Sequence, residues 1–532
     1  MRRRRLLPAL AALASMSMMS HAQNPSPFAN RYDASATGRY AAREADWRKG
    51  AIVYQVLVDR FAPSADLAAK RHLYPSPKRL HAWADEPRRG RYLAGEKLWS
   101  HEIDFWGGDL ASLRSRLDHV QSLGAGVLYL NPICLAHTNH KYDALDYQQV
   151  SPEYGTRGDV KALAAELHRR GMKLVLDGVF NHMGRNAAIF REAERDAASP
   201  YRDWFFFGDR YPSGARSWWG AANLPELNLE NPGVRDHLWR KPGSVVRSWL
   251  RDGVDGWRLD VAFDIGFVHL AELTAAAHAE KPGSLVVGEI PNYPREWFPS
   301  VDAVMHFGLR RILILLANGE LDAATAGRMI ARIVHDADYE HLLQSWVYLD
   351  NHDTARIATS VPDEARRRVA QVLQFTLPGA VNLYYGSEVG MQGDDDPEMR
   401  GPMRWDRVAE GHPQLAWTKR LVALRQSQRA LRVGDFRSLV TRELLAFERH
   451  TDRALESVFV VANPSARTVR DTLLVSNSKV MDGSHLVDLL GQAEPTTVHA
   501  ELMPVTVPPH TVLVLQHRDV RADGYSNYKR VQ

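Results

Sequence analysis

The chain has 532 residues, of which 45% are hydrophobic and 24% charged, fractions that are ordinary for a soluble globular protein. This composition excludes wholesale disorder, collagen and coiled coil, and the length suggests one large domain with appendages or several ordinary domains. The formal net charge is +4, but without the four arginines at positions 2–5 the remaining 63 basic residues balance 63 acidic ones. A neutral body gives no reason to propose nucleic acid as a partner. The single cysteine, Cys134, excludes an intrachain disulfide framework.

The first segment is typical of a secretory signal peptide with a cleavage site near Ala22. The four arginines precede an apolar stretch from Leu6 to Met19, and Ser20-His21-Ala22 then offers small residues on both sides of a histidine. The apolar stretch has about 14 residues whereas a membrane span needs ~20, so a membrane anchor is the weaker alternative. We therefore predict that residues 1–22 are removed, and that the mature protein is periplasmic or secreted and has no membrane span.

From residue 49 to 434 short apolar runs alternate with helical patterns, which predicts a (β/α)8 TIM barrel. Residues 23–48 are polar and alanine-rich and predict a loose leader segment. Each strand candidate is almost continuously apolar and is bounded by turn residues, as in a parallel sheet buried on both faces. Helices are predicted over Arg157–Arg170, with Thr156 as N-cap, and over Glu364–Leu377. The strand candidates are Ile52–Val58, Gly126–Ile133, Lys173–Phe180, Gly256–Val261, Leu285–Ile290, Ala303–Phe307, Ser345–Leu349 and Ala380–Tyr385.

Two regions depart from the pattern of a bare barrel. Residues 182–231, after the third strand candidate, are rich in aromatic residues and predict an inserted, loop-rich subdomain. Residues 435–517 carry short alternating strands, which predict a C-terminal antiparallel β-sandwich domain. Its strand candidates are Leu444–Glu448, Ser457–Ala462, Leu486–Leu490 and Thr511–Leu515. Residues 518–532 are predicted to be a polar tail.

Polar residues follow four of the barrel strand candidates, at the rim where the active site of such a barrel lies. The fragments are Asp177-Gly-Val-Phe-Asn181-His182, Arg258-Leu-Asp260, Gly288-Glu289 and Asp350-Asn351-His352-Asp353. Each fragment alone is a weak signal, because a surface turn or a capping loop explains it as well. All four occur in this order and each lies at a strand end, so coincidence is implausible.

In order, the four fragments resemble the signature regions of the α-amylase superfamily of glycoside hydrolases. Further matches are Asn139-His-Lys-Tyr142-Asp143, Leu224-Pro-Glu-Leu-Asn228 and Asp396-Pro-Glu-Met-Arg400, and the resemblance covers about residues 50–515. The first two of these segments are most similar to the cyclomaltodextrinase, neopullulanase and maltogenic amylase group. The resemblance implies an exported retaining α-glycoside hydrolase. Such an enzyme cleaves α-1,4-glucosidic bonds of maltodextrins, cyclodextrins or starch fragments by double displacement.

The resemblance assigns catalysis to three carboxylates. Asp260 is the nucleophile, Glu289 is the general acid and then the general base, and Asp353 holds sugar hydroxyls and stabilises an oxocarbenium-like transition state. Retaining hydrolysis needs one ionised and one protonated carboxyl group, so we expect a raised pKa for Glu289. The implied binding residues are Tyr142, which stacks on the sugar, His182 and His352, which hydrogen-bond its hydroxyls, Arg258, which keeps Asp260 ionised, and Asp396 and Arg400, which recognise the nonreducing-end side.

Some of these assignments have a simpler alternative. Asp396 and Arg400 also suit a plain ion pair within a loop; their family role favours short maltodextrins over attack in the middle of starch. Trp204, Trp218 and Trp219 are the best candidates for a sugar-stacking wall, although most tryptophans in a protein of this size belong to the core.

The sequence also departs from its relatives, and it predicts no cofactor and no strong calcium site. Many relatives bind calcium through an Asn/Asp-rich loop after Asp-Arg-Phe, but here the loop reads Asp59-Arg-Phe-Ala-Pro-Ser-Ala-Asp66, with Asp109 in the other half of that site. Too few side-chain oxygens are left for the six to eight ligands that calcium takes. The N-terminal β-sandwich that builds the dimer in the cyclomaltodextrinase group has no room in the roughly 26 residues before the first strand. The oligomeric state is therefore left open.

Three other functions remain open at this stage. A 4-α-glucanotransferase would use the same residues and differ only in whether a sugar hydroxyl or water intercepts the intermediate. An exo-α-glucosidase would cleave small aryl α-glucosides. A non-catalytic carbohydrate-binding protein on an amylase scaffold is disfavoured, because such proteins typically lose the catalytic carboxylates that are all present here.

Overall fold

The barrel that the alternating pattern predicts is confirmed. A computed structural model describes residues 31–518, 525–528 and 531, so the predicted signal peptide and most of the predicted tail lie outside the described residues. The barrel strands are β1 Ile52–Val56, β2 Val127–Leu130, β3 Lys173–Gly178, β4 Gly256–Leu259, β5 Leu285–Gly288, β6 Ala303–Val304, β7 Trp346–Val347 and β8 Ala380–Tyr384. Within the described chain these eight parallel strands form one sheet in the order β6-β5-β4-β3-β2-β1-β8-β7. A parallel bridge between Met305 and Trp346 joins the two edges and closes the barrel.

Both faces of the barrel sheet are buried, which explains why its strands are almost continuously apolar. Alternate residues such as Val53, Val175 and Val287 belong to the interior cluster of the barrel. Their neighbours, such as Tyr54 and Leu174, pack outward under the helices. The register places Asp177 opposite Arg258, and Arg258 opposite Val287, so the arginine follows the inward-facing row.

Helices cover the outer face of the barrel, and their bounds lie close to those predicted. The helix Arg157–Arg169 begins after Thr156, whose hydroxyl accepts a hydrogen bond from the Asp159 N–H while the Asp159 carboxylate accepts one from the Thr156 N–H. The helix Glu364–Thr376 packs its valine and leucine face against the barrel. The other α-helices between the first barrel strand and the C-terminal domain are Val58–Phe61, Leu110–Arg114, Leu117–Ser122, Ala188–Arg195, Pro232–Arg235, Val245–Arg251, Ala262–Ile265, Phe267–Glu280, Phe307–Asn318, Ala323–Asp336, Tyr339–Gln344, Ile357–Ser360, Pro413–Ser427 and Arg429–Val433.

Two long excursions leave the barrel and return to its carboxyl-end rim. The predicted subdomain over 182–231 holds the helix Ala188–Arg195 and a set of phenylalanines packed edge to face. The other excursion covers residues 62–109, and the sequence pattern did not reveal it. It contains a small antiparallel hairpin in which Tyr92–Leu93 pairs with Leu98–Trp99. Both excursions contribute residues to the site described below.

The predicted C-terminal β-sandwich is confirmed. Its strands are β9 Asp435–Ser438, β10 Leu445–His450, β11 Val458–Asn463, β12 Val469–Leu474, β13 His485–Asp488, β14 Thr496–Thr497, β15 Leu502–Val507 and β16 Thr511–His517. Six of these strands form one sheet in the order β9-β10-β11-β16-β13-β14, and β12 pairs with β15 in a second. Apolar side chains from both sheets, including Phe459, Leu473 and Met503, form one core between them.

The stretch before the barrel differs from the loose leader that we predicted, because it contains the helix Arg31–Ala45. The guanidinium of Arg43 is 3% exposed and donates hydrogen bonds to Glu340, at 2.7 and 2.9 Å, and to Asp435, at 2.8 Å. The Tyr40 hydroxyl donates to the same Asp435 carboxylate at 2.7 Å. This helix therefore ties the barrel to the C-terminal domain. Among the described residues, no helix combines the length and apolar character that crossing a membrane requires.

Candidate active site

A cleft of about 710 Å³ opens at the rim where the carboxyl ends of the barrel strands meet. Its walls include the three predicted catalytic carboxylates, Asp260, Glu289 and Asp353. Four of the predicted binding residues also line it, namely Tyr142, His182, Asp396 and Arg400. Three further clefts in the described chain, of about 510, 860 and 1050 Å³, hold none of these carboxylates. Chemistry rather than size therefore identifies the candidate site.

One buried arginine joins the first two carboxylates. Arg258 is fully buried, and its Nη1 lies 3.1 Å from Asp260 Oδ1 while its Nη2 lies 3.0 Å from Glu289 Oε2. The same Nη1 donates to both oxygens of Asp177 at 3.0 Å. Arg258 is absent from the cleft lining, so it acts through the carboxylates rather than by contacting a ligand. A single guanidinium thus holds Asp260 and Glu289 side by side in the cleft wall.

The backbone after β4 is strained at the point where it aligns these two acids. Val261 has φ 38° and ψ 46°, a left-handed conformation that is costly for a β-branched residue, at roughly 1–3 kcal/mol. In this conformation the Val261 N–H donates to Glu289 Oε2 at 2.9 Å. This strained conformation therefore places Glu289, the general-acid candidate, beside the residue that directly follows Asp260, the nucleophile candidate.

The carboxyl groups of Asp260 and Glu289 share an environment that favours a proton. Burial raises the pKa of both, and the negative charge of Glu289 raises the pKa of Asp260 further. Arg258 opposes the shift in each case, but it does not cancel the effect of burial. We expected a raised pKa for Glu289, whereas the raised pKa of Asp260 was not expected. Because the two acids interact, a proton taken up here belongs to the pair rather than to one residue.

Asp353 belongs to a second charged group in the wall of the cleft. His352 Nε2 lies 2.9 Å from its Oδ2, and Arg400 Nη2 lies 3.1 Å from its Oδ1. Burial alone would raise the pKa of Asp353, but His352 and Arg400 outweigh it and lower the pKa, so this carboxylate is ionised at neutral pH. Arg400 Nη1 also lies 3.2 Å from Asp396 Oδ1; burial would raise the pKa of Asp396, but Arg400 and His101 outweigh it and lower the pKa. The predicted ion pair of Asp396 and Arg400 is therefore present, and it lies within the cleft.

Tyr142 links the two charged groups. Its hydroxyl donates to Asp177 Oδ2 at 3.1 Å, bonds with His352 Nε2, and accepts from Asn131 Nδ2 at 3.1 Å. Its ring lies nearly parallel to that of His352, with centroids 5.5 Å apart. The other ring nitrogen of His352 bonds with Gln55 Nε2 at 2.9 Å. Both nitrogens of His352 thus have protein partners, and its hydrogen bond to a sugar hydroxyl stays a prediction.

In contrast to His352, His182 has one ring nitrogen without a hydrogen-bond partner among the described residues. It is 1% exposed, burial lowers its pKa to about 3, and its Nε2 has no hydrogen-bond partner in the described chain. That nitrogen lies 3.9 Å from Asp260 Oδ2, and the His182 ring stacks on Trp218 with centroids 5.5 Å apart. A neutral ring with a free nitrogen at the cleft wall suits a hydrogen bond to a hydroxyl group.

The arrangement is matched by a family of known proteins. The model of the alpha amylase catalytic domain matches residues 55–419, and the model of the maltogenic amylase C-terminal domain matches residues 436–514. The chain belongs to the alpha-amylase family. The first match covers the barrel from within β1 onward and every cleft residue assigned above, and the second covers all but the ends of the C-terminal sandwich.

Individual relatives agree with this assignment. The chain is 33% identical to neopullulanase 2 of Thermoactinomyces vulgaris over 408 residues, which is 74% of this chain and 65% of that protein. It is 30% identical to a cyclomaltodextrinase of Geobacillus thermopakistaniensis over 480 residues, 87% of this chain and 76% of that protein. Among solved structures, the ligand-free cyclic alpha-maltosyl-(1→6)-maltose hydrolase of Arthrobacter globiformis superimposes with a TM-score of 0.74 at 28% identity, covering 88% of this chain and all of that one. The chain thus spans just under two thirds of the length of the neopullulanase.

Some cleft residues of this family member escaped sequence reasoning. Trp218 and Trp219 line the cleft as predicted candidates, but Trp204 does not and packs instead against Tyr201 and His237. The hairpin of residues 92–99, Glu102 just beyond it, Phe263 and Phe307 also line the cleft without having been predicted. In the sequence the hairpin is marked by its aromatic residues Tyr92 and Trp99, and aromatic residues of this kind do not distinguish it from other surface loops.

The residues that matched a calcium loop are engaged with protein partners. Asp59 accepts hydrogen bonds from the backbone N–H groups of Trp106, at 3.0 Å, and Gly107, at 2.9 Å. Asp109 caps a helix, and its carboxylate forms an ion pair with the ammonium group of Lys70. Within the described residues, no group of three or more His, Cys, Asp or Glu side chains is arranged to hold a metal ion. The absence of a strong calcium site stays a prediction.

Proposed function

We propose that this protein is an exported retaining α-glycoside hydrolase that cleaves α-1,4-glucosidic bonds in maltodextrins, cyclodextrins or starch fragments. One observation carries the proposal: Asp260 and Glu289 are both held by Arg258, at 3.1 and 3.0 Å, in a cleft that Asp353 also lines. Family membership supports the reaction class, and relatives named neopullulanase, cyclomaltodextrinase and maltogenic amylase support an α-glucan substrate.

In the proposed reaction the Asp260 carboxylate attacks the anomeric carbon and forms a covalent glycosyl-enzyme. Glu289 gives its proton to the leaving oxygen, and the C–O bond to the leaving sugar breaks. Water then enters, Glu289 takes a proton from it, and the resulting attack releases the sugar with its original configuration. The raised pKa of Glu289 supports its role as proton donor near neutral pH. The positive charge of Arg258 attracts the Asp260 carboxylate and so favours the ionised form of the nucleophile.

The ionised group around Asp353 is proposed to bind the sugar that is being cleaved. Its carboxylate is held by His352 and Arg400 and is suited to accept hydrogen bonds from two adjacent hydroxyls. Negative charge at this position also stabilises the positive charge that develops on the sugar ring in the transition state. The free nitrogen of His182 supplies a further hydrogen bond near Asp260.

Export is proposed from the amino-terminal sequence alone. The four arginines and the apolar stretch up to Met19 have the order of a signal peptide, and cleavage near Ala22 would release the protein to the periplasm or the medium. The test is to determine the amino-terminal sequence of protein recovered from the periplasm and the medium. Recovery of the whole product in the cytoplasm with residues 1–22 attached would contradict export.

Product analysis with four substrates tests the activity. The purified protein is incubated with starch, maltotriose, β-cyclodextrin and pullulan, and the products are separated by chromatography while NMR follows the anomeric configuration. We expect α-configured glucose or maltose as the first products, and we expect Glu289→Gln to abolish hydrolysis while leaving ligand binding largely intact. Products of inverted configuration, or full activity of that variant, would refute the assignment. Chains longer than the starting maltotriose would favour the transferase alternative.

The same assay tests the proposed independence of calcium. Lys70 forms an ion pair with Asp109, and backbone N–H groups donate hydrogen bonds to Asp59. We therefore expect treatment with EDTA to leave activity and the melting temperature unchanged. A loss that added calcium restores would contradict it.

A further inference from the structure

Two side-chain amides inside the barrel connect to the cleft, although neither of them lines it. Gln55 on β1 and Asn382 on β8 are fully buried, and the two strands are neighbours in the sheet. Each amide lies two residues after a member of the interior apolar cluster of the barrel, Val53 in β1 and Ala380 in β8. Because alternate residues of a strand share a face, both amides project into the barrel interior.

The two amides belong to a chain of hydrogen bonds that ends on the cleft carboxylate Asp353. Asn382 Nδ2 donates to Gln55 Oε1 at 3.1 Å. Gln55 Nε2 lies 2.9 Å from His352 Nδ1 and donates to Asn131 Oδ1 at 3.1 Å. His352 Nε2 in turn lies 2.9 Å from Asp353 Oδ2. The chain thus connects the interior of the barrel to the carboxylate through single hydrogen bonds.

The Tyr142 hydroxyl fixes the direction in which these bonds are donated. It has one hydrogen and donates it to the Asp177 carboxylate at 3.1 Å, so its oxygen accepts from Asn131 Nδ2, also at 3.1 Å. Asn131 therefore presents its own oxygen to Gln55, and that oxygen needs an N–H. Gln55 Nε2 has two hydrogens and no acceptor, so it gives one to Asn131 and the other to His352 Nδ1.

The N–H that reaches Nδ1 decides which tautomer His352 adopts. Nδ1 accepts and carries no hydrogen, so the hydrogen of the neutral ring is on Nε2. Nε2 is the nitrogen beside Asp353 Oδ2, and its N–H therefore meets the carboxylate. The opposite tautomer would place a nitrogen lone pair against that oxygen, and Asp353 would lose a donor and rely more on Arg400.

Asn382 holds the Gln55 amide from its other side. If the Gln55 amide were reversed, its N–H groups would meet the N–H of Asn382, and the contact would become repulsive. Asn382 Oδ1 is buried and has no hydrogen-bond partner among the described residues. An unpaired buried oxygen costs free energy, so stability alone does not account for an asparagine at this position.

We propose that Gln55 is a positioning residue that holds His352 in the tautomer with its hydrogen on Nε2. Asn131 and Asn382 hold the Gln55 amide in the orientation that this requires. The three amides act on Asp353 through the histidine ring, and none of them lines the cleft. This inference rests on the proposed function for its effect on catalysis, whereas the tautomer itself is a property of the folded protein.

Nitrogen NMR of the unaltered protein tests the tautomer without relying on activity. The purified protein carries ¹⁵N in its histidines, and the signals of His352 are assigned near neutral pH as those lost in His352→Gln. We expect Nδ1 to be a bare nitrogen of the acceptor type and Nε2 to be bonded to hydrogen. A hydrogen on Nδ1, in a neutral or a doubly protonated ring, would overturn the inference.

Gln55→Glu has the same shape and places carboxylate oxygens instead of N–H groups against Nδ1. We expect Nδ1 to gain a hydrogen and kcat/KM for maltotetraose to fall about 10-fold, which corresponds to roughly 1.4 kcal/mol. The neutral ring would withdraw its N–H from Asp353, and a doubly protonated ring would weaken the negative charge that Asp353 offers to the transition state. Unmoved nitrogen signals, or kcat/KM within about 2-fold of the unaltered protein, would overturn the inference.

Gln374→Glu is the matched control for placing a carboxyl group among buried residues. Gln374 is also buried, and its Nε2 donates to the backbone carbonyls of Val347 and Asn382 at 3.1 Å, outside the side-chain chain described above. This control should lose melting temperature but keep the His352 signals and kcat/KM within about 2-fold. An equal kinetic loss in the control would assign the effect to the buried carboxyl group and overturn the inference.

Asn382→Leu tests the second amide without adding charge. It removes the N–H donated to Gln55 and should lower kcat/KM about 3-fold, because the Gln55 amide is then held from one side only. A rate equal to that of the unaltered protein would overturn the role assigned to Asn382. Failure of the proposed function gives a different result, since the unaltered protein would then leave maltotetraose intact while the NMR result would stand unchanged.

Discussion

Replacing Arg258 with methionine is the change that most severely perturbs the proposed chemistry. The guanidinium lies 3.0 to 3.1 Å from oxygens of Asp177, Asp260 and Glu289, and it is fully buried. A unit charge pair at about 4 Å contributes roughly 4 kcal/mol when the effective dielectric constant is about 20. Methionine fills similar space without the charge, so the ionised form of the nucleophile loses attraction of that order. At 1.4 kcal/mol for each tenfold change, kcat/KM at neutral pH should fall by about 10³.

The pH profile shows whether that loss arises from the cause proposed. Arg258 lowers the pKa of both Asp260 and Glu289 against the effect of burial, so its removal raises the pKa of the nucleophile. The acid limb of kcat/KM, which requires ionised Asp260, should therefore move to higher pH. Arg258→Lys is the matched control, since it keeps the charge but loses the planar fork, and its acid limb should move less.

Folding must be checked alongside, because removing one partner of a buried ion pair typically costs ~3–5 kcal/mol. Circular dichroism melts of both variants at pH 5 and pH 7 provide that check. A folded Arg258→Met protein with kcat/KM within about 3-fold of the unaltered enzyme, and with an unmoved acid limb, would refute the reasoning.

Three further outcomes are expected. Tyr142→Phe removes the hydroxyl that bonds with Asp177 and His352, and kcat/KM should fall at least about 10-fold without a change in melting temperature; an unchanged rate would show that the hydroxyl only fills space. Arg43→Ala should lower the free energy of unfolding in urea by about 3 kcal/mol while KM stays constant, and equal stability would contradict the tie between domains. The raised pKa of Glu289 means that its stabilising effect is present at low pH and lost as pH rises through the folded pKa. Glu289→Gln should therefore be more stable than the unaltered protein at pH 7, and the difference should shrink toward pH 4; a destabilised variant at pH 7 would contradict the shift.

The barrel and the three carboxylates could be predicted from the sequence for a physical reason. Strands buried on both faces must be almost continuously apolar, so a charged residue directly after such a run stands out. Asp260 and Glu289 directly follow β4 and β5 in this way, and Asp353 lies in the loop after β7. The carboxyl ends of parallel strands meet at one rim, and so residues distant in sequence could be placed together.

The parts that the sequence did not reveal depend on contacts between distant segments. Trp99 and Glu102 belong to a 48-residue excursion. Each strand of its hairpin has two residues, which is too short to show the alternation of apolar and polar residues that predicts a strand. The helix before the barrel is stabilised by contacts of Arg43 with residues about 300 and 390 positions away. The raised pKa of Asp260 follows from burial beside Glu289, which no local pattern reports.

Trapping the covalent intermediate tests the central claim most directly. A 5-fluoro-α-glucosyl fluoride slows the second step of a retaining enzyme, so the glycosyl-enzyme accumulates and digestion followed by mass spectrometry locates the sugar. The account predicts one fluoroglucosyl group on the peptide that contains Asp260, and no label in Asp260→Asn. A label on another carboxylate, or turnover of the reagent with inversion and without any label, would contradict it.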